Sequence, residues 1–170
     1  MTAEPIEPVE ITAGKYHLRP PRALERPDLQ ALAQDPEVAL WNPYVETTDW
    51  ITGTSANWSI LESITERHAG TVSLFLIDRV NASAEIGFRV APWARGQGAA
   101  RTSVRAVAGW AFAMLDLHRI SLIHAVGNEA ACAVARRTGF TLEGTTRESY
   151  RYGDGRLHDE HIHGLLADEL

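Results

Sequence analysis

An α+β domain with a mostly antiparallel sheet is the fold class that the sequence predicts, on three observations. Strand-like runs at residues 58–62, 71–77 and 84–90 follow one another closely, joined by short polar segments containing Arg67, His68, Gly70, Asn81 and Ser83. This spacing leaves no room for crossover helices and reads as a meander. After Pro92 the period changes, and Val104, Val107, Ala108, Ala111 and Leu115 recur at helical spacing over 98–117. A strand, a short helix and two more strands then close the chain, so hairpins come first and crossovers later.

Taken in order, residues 1–14 are rich in Pro and Glu without a clear period. They are expected to form a flexible N-terminal arm ahead of a single domain over 15–170. Residues 15–19 suit a first strand, stopped by Pro20 and Pro21. Leu24, Leu29, Leu32 and Ala33 fit a short amphipathic helix over 24–33 whose first turn holds Pro27 and Asp28, and 36–41 adds one further turn. Residues 42–56, with Pro43, Thr47, Thr48, Gly53, Thr54 and Ser55, read as a loop. Beyond the long helix, 119–126 is a buried-strand candidate. Residues 128–138 follow as a helix that Asn128 caps and Gly139 ends. Residues 140–143 and 158–166 supply the last two strands.

Composition narrows the function classes. A chain of 170 residues forms one domain that buries roughly 70% of its unfolded surface, so neither a disulfide nor a structural metal is required. Hydrophobic content of 45% and charged content of 22% exclude a disordered or collagen-like chain. The longest near-apolar run, 106–115, contains Gly109 and stops at Asp116, well short of the roughly 20 residues of a bilayer span. The first ten residues hold three glutamates, two prolines and no basic residue, which is not a signal peptide, and the single Cys132 fits a reducing cytoplasm. A formal charge of −6 argues against a large nucleic-acid surface, and it makes Trp41, Trp50, Trp58, Trp93 and Trp110 core or groove residues rather than a base-stacking platform. The charge is unevenly spread, since 86–115 holds Arg89, Arg95, Arg101 and Arg105 and no acid.

The most informative segment is Arg95-Gly96-Gln97-Gly98-Ala99-Ala100-Arg101, which opens a helix after a strand and a short turn. Small residues let a ligand approach the backbone, and the free N–H groups at a helix start favour phosphate or pyrophosphate. A tight strand-to-helix turn without a ligand is the alternative. A P-loop needs a Gly-Lys-Ser/Thr ending that is absent. The dinucleotide fingerprint needs a glycine where Arg101 stands and an acid closing the next strand, whereas Asp116 precedes that strand.

Arg95-x-x-Gly98-x-Ala100 resembles the acyl-CoA pyrophosphate loop of the GNAT superfamily of N-acetyltransferases, and Asn128 followed by Gly139-Phe140 resembles its second motif. Glu143-Gly144, Arg147, Gly155 and Asp159 are similar to the branch containing the ribosomal-protein-alanine N-acetyltransferases. The resemblance, over residues 16–166, implies a mixed, V-shaped sheet flanked by helices, acetyl-CoA as acetyl donor, and direct acetyl transfer to a primary amine. A protein or peptide N-terminus leads as acceptor. The alternatives are a small-molecule amine such as an amino acid or antibiotic, or a non-catalytic acyl-CoA-binding module. No nucleic acid or membrane partner is implied, and a homodimer is the assembly to test.

On this resemblance Glu85, on the strand entering the loop, is the candidate base, with a solvated or salt-bridged strand glutamate as the alternative. Backbone N–H groups near Phe88, Arg89 and Val90 would polarise the thioester carbonyl. Asn128 would lie near the pantetheine arm and thiol, in addition to or instead of capping its helix. Residues 95–101 would hold the pyrophosphate. Two departures stand out. The positions where related enzymes carry a Ser or Tyr proton donor are Ala131 and Ala135, with Cys132 rotated about 100° away as a packing residue. The interval from Trp41 to Trp58 is short, which implies an open acceptor groove. Asp159, His161 and His163 share a strand face beside His158, but no four-ligand tetrahedral set is identifiable, so no metal is expected.

Overall fold

The computed structural model describes residues 5–43, 49–52 and 54–170. Part of the expected 42–56 loop, residues 44–48 and 53, lies outside them, as do residues 1–4 of the expected arm. The elements are β1 (Ile11–Ala13), β2 (Tyr16–Arg19), α1 (Arg26–Gln34), α2 (Pro36–Trp41), β3 (Ile51–Thr52), β4 (Ser55–Glu62) and β5 (His68–Asp78). They continue with β6 (Ser83–Val90), α3 (Ala99–Leu115), β7 (Arg119–Ala125), α4 (Glu129–Arg137), β8 (Thr141–Arg151) and β9 (Leu157–Leu166). The strands form one sheet in the order β1-β2-β4-β5-β6-β7-β9-β8, with β3 added to the start of β4. The expected meander is β4-β5-β6, and the α+β class holds.

All pairings are antiparallel except β6–β7, and that one lasts for three residue pairs, Ser83–Arg119, Ala84–Ile120 and Glu85–Ser121. Beyond them β6 runs on to Val90 and β7 to Ala125 without pairing with each other, so the sheet opens into a V. On one side α3 buries Val104, Val107, Ala108, Ala111 and Leu115, the residues whose spacing predicted it. They meet Leu18, Ile60, Val72 and Ile86 from the sheet, all essentially inaccessible.

Three sequence expectations need correction. Residues 5–13 are not a loose arm. β1 pairs with β2, Ile6 and Val9 pack against the core, and their carbonyls accept the indole N–H groups of Trp50 and Trp58 at 3.0 and 3.1 Å. A buried indole needs an acceptor, and this demand from residues more than forty positions away has no local period. The 42–56 stretch contains β3 and the start of β4. β8 spans Thr141–Arg151 rather than 140–143, because it is an edge strand exposed on nearly every residue and carries no apolar alternation to read.

Two long-range polar contacts fix the outer elements. Glu25, preceding α1, pairs with Arg19 of β2 and accepts from Ser59 of β4, all three being almost fully buried. Gly153, in the β8–β9 turn, donates its N–H to the Leu40 carbonyl of α2 at 2.9 Å. A Cβ there would lie 1.9 Å from the Ala39 carbonyl oxygen. This contact holds Trp41 edge-on to Tyr152 and His158, with ring centroids 5.6 and 5.7 Å away.

Gly153→Ala must therefore push α2 off the hairpin. A loss of about 1–3 kcal/mol is expected by denaturant unfolding. Gly144→Ala, whose added methyl would meet open space, should change stability by less than about 0.5 kcal/mol.

Candidate active site

The loop after β6 turns through two left-handed glycines, Gly96 at φ 71° and Gly98 at φ 85°. No atom lies within 4 Å of a Cβ built on either, so crowding within the chain does not demand glycine there; the backbone conformation does. Gly98 is the N-cap of α3 and offers no side-chain acceptor. The first intrahelical donor is the Thr102 N–H, bonded to the Gly98 carbonyl at 2.9 Å. The amides of Ala99, Ala100 and Arg101 are thus left for a ligand, with no acid in the first turn to compete.

These amides face a cleft of about 550 Å³ in the mouth of the V. Its walls include all of residues 94–101, Phe88, Arg89 and Val90 of β6, and Asn128, Ala131 and Arg137 beside or on α4. Asn128 caps α4, its Oδ1 accepting the Ala131 N–H at 3.2 Å, so the capping role holds and the residue also lines the cleft. Arg95 departs from expectation. Its guanidinium pairs with Asp35 and, at 3.1 Å, with Glu37 of α2, and it holds the Asp35 carboxyl below its ordinary range. Arg95 therefore joins the loop to α2 instead of standing as an uncompensated charge. Gln97 likewise turns back, donating to the Trp93 carbonyl and accepting from Lys15.

A second cavity of about 690 Å³ lies on the other side of β6 and shares Trp41, Asn42, Phe88 and Arg89 with the first. Glu85 lines it, with Phe75, Tyr150, Tyr152 and Glu160. Burial, and secondarily the charge of Glu160, raise the Glu85 carboxyl above its ordinary value. Glu160 accepts from Tyr152 Oη at 2.9 Å and Ser149 Oγ at 2.7 Å. Burial lowers the Arg89 guanidinium to about 10, with Tyr150 acting in the opposite direction, which leaves it charged at neutral pH.

A family model described as an acetyltransferase (GNAT) domain matches residues 15–141. The chain belongs to the GNAT acetyltransferase family. It is 39% identical over 100 residues to YdaF of Bacillus subtilis, a candidate ribosomal N-acetyltransferase by name, and 33% identical over 100 residues to a spermidine N(1)-acetyltransferase of Vibrio cholerae. Each match covers 59% of this chain but 54% and 57% of those proteins, so the matched region spans little more than half of their length. The fold is also that of a Vibrio cholerae spermidine N-acetyltransferase solved with CoA and spermine. That structure has a TM-score of 0.78 and 24% identity, over 91% of this chain and 97% of that one.

Within this GNAT site, the residues singled out from sequence divide between the two cavities. Residues 95–101, Asn128 and Val90 line the first, Glu85 the second, and Phe88 and Arg89 both. Ala131 lines the first cavity, whereas Ala135 is fully buried. Trp41, expected from the sequence to be a core or groove residue, lines both cavities, whereas sequence reasoning missed Tyr150, Tyr152, Glu160 and Arg137. Arg137 alone carried a signal, as a cation in the last turn of the motif helix.

Gly98→Asp tests the anion site directly. Aspartate tolerates the left-handed backbone, so the fold should persist, while its charge opposes a pyrophosphate at the same amides. CoA affinity measured by calorimetry should fall on the order of a hundredfold, the worth of one or two charge-assisted hydrogen bonds.

Proposed function

We propose that this protein transfers an acetyl group from acetyl-CoA to a primary amine of a cationic acceptor, by direct attack. The observation that carries this reading is the meeting of two cavities across the end of β6, where its edge toward β7 is open. One is walled by free helix amides and arginines, the other by carboxylates and aromatic rings. The loop amides and Arg101 suit the pyrophosphate, and the β6 edge suits the pantetheine arm and the thioester oxygen. Cavity two takes the amine.

Glu85 accepts the proton that the amine must lose, and a raised carboxyl pKa brings it closer to that task. The amine lone pair attacks the thioester carbon, the C–S bond breaks, and the departing thiolate takes a proton. With alanine at 131, we assign the thiolate proton to Tyr150, a β8 phenol that lines the second cavity together with the hydroxyls of Ser55, Thr71, Ser73 and Tyr152. A peptide N-terminus remains the leading acceptor, consistent with the similarity to YdaF. A diamine or polyamine is the second reading, favoured by Glu160 as a carboxylate for a second cationic centre and by the spermidine acetyltransferase relative. A cytoplasmic location, supported by the single Cys132, belongs to the same proposal.

Glu85→Gln should lower turnover roughly 10²- to 10⁴-fold at pH 7, with a smaller loss at higher pH, where more of the amine is neutral. The same substitution should raise Tm at pH 7. The folded state favours protonated Glu85, so the stability it contributes is complete below the ordinary carboxylate range. That stability is lost as pH rises through the raised pKa. A fall in both turnover and Tm would mark Glu85 as structural.

Ala131→Ser should raise turnover at unchanged CoA affinity, because a hydroxyl at the cleft wall strengthens its bond as charge develops on sulfur. Tyr150→Phe should lower turnover roughly tenfold or more, and Ala131→Ser should restore part of that loss, as expected of two donors serving one step. Steady-state thiol release against a peptide and a polyamine checks both.

A further inference from the structure

A cluster of metal-ligating side chains lies outside both cavities. His124 of β7, His163 of β9 and Cys132 of α4 bring one ligand atom each within 4.8 Å of the others. Both histidines are buried and Cys132 is half-buried. The imidazoles stack with centroids 5.1 Å apart and planes inclined by 22°, and their Nε2 atoms are 3.1 Å apart.

The proton positions follow from the partners. His124 Nδ1 stands 2.7 Å from the Ala125 carbonyl, which can only accept, so Nδ1 carries the hydrogen and Nε2 presents a lone pair. His163 Nε2 then donates to it, and His163 Nδ1 is buried with no hydrogen-bond partner among the described residues. Buried polar atoms are rarely left unpaired.

The geometry is close to that of a metal centre. Two imidazole nitrogens bound tetrahedrally at about 2.0–2.1 Å from one zinc ion stand roughly 3.3 Å apart, near the 3.1 Å observed. A backbone carbonyl accepting the second ring N–H, as Ala125 does, is the outer contact that orients metal-bound histidines. Cys132 offers its Sγ to the same point from α4, within 4.8 Å of both imidazoles.

We propose that His124 Nε2, His163 Nε2 and Cys132 Sγ bind a Zn²⁺ ion, with water in the fourth position. Two imidazoles and a thiolate match the ligand preference of that ion. On binding, the Cys132 thiol loses its proton to solvent and the His163 proton moves from Nε2 to Nδ1. The set differs from the strand-face group suggested by sequence. Asp159 instead accepts the Glu148 N–H at 2.8 Å, and His158 pairs with Asp154. The ion would tie α4, whose first turn holds Ala131 at the cleft wall, to the outer half of the sheet.

The test uses chelator-treated full-length protein titrated with Co²⁺ and Zn²⁺. Wild type should take up one equivalent, show a thiolate-to-Co²⁺ charge-transfer absorption that Zn²⁺ displaces, and gain several degrees in Tm with Zn²⁺. Cys132→Ser should keep the metal-free Tm, lose the absorption and bind Zn²⁺ at least tenfold more weakly. His17→Gln, a surface change, should bind as wild type does. Absence of stoichiometric uptake by wild type, or unchanged Zn²⁺ affinity in Cys132→Ser, would overturn the proposal. Should His163→Gln fail to fold, the cysteine variant decides alone.

Discussion

The hydrogen bonds between β6 and β7 end at the Glu85–Ser121 pair, and the site depends on that early parting. Two parallel neighbours that stay zipped would bury both backbones and leave no cleft. Here residues 86–90 keep their pairing with β5 on one edge and present the other edge to the opening. Backbone amides and carbonyls in such a position must find partners in water or a ligand, which makes the strand a binding surface as well as a wall. The core beneath holds the V open. Ile86, Val104 and Ile120 are inaccessible or nearly so and belong to one continuous cluster, so each arm of the V is anchored before it diverges.

Charge is sorted across the same divide. The chain is acidic overall, yet the first cavity collects Arg89, Arg101 and Arg137 around uncapped helix amides. The second collects Glu85 and Glu160 among aromatic rings. The two cavities thus carry opposite charge on opposite sides of β6, with Phe88 and Arg89 common to both. Keeping an acid in this pocket has a cost: burial first, and the charge of Glu160 second, raise the Glu85 carboxyl above its ordinary value.

Long-range braces hold these walls. Arg95 ties the anion loop to α2 through Asp35 and Glu37, and Gly153 ties α2 to the β8–β9 turn. Trp41, at the end of α2, therefore borders both cavities in a fixed orientation. The buried His124 of β7 and His163 of β9 stand beside Cys132 of α4.

Much of this was legible in the chain. Closely spaced strand-like runs located the meander, and the 3.6-residue stripe of α3 located the long helix, because one helix face packs on the core and the pattern records it. The loop at 95–101 and Asn128 could be picked out, since glycine at positive φ, an uncapped helix start and a capping amide are local requirements written in adjacent residues, whereas Glu85 and the strand end at 88–90 followed from the resemblance those motifs carry. Tertiary structure alone decided what those residues meet. Arg95 finds Asp35 sixty positions earlier, Trp58 finds the Val9 carbonyl, and His124 finds His163 thirty-nine positions later. Tyr150, Tyr152 and Glu160 reach the acceptor cavity from a hairpin whose polar strand has no periodicity to announce it. Local sequence determines the conformation that neighbouring residues share, whereas a charge or a lone pair is answered by whichever group the packed sheet places within a few ångströms.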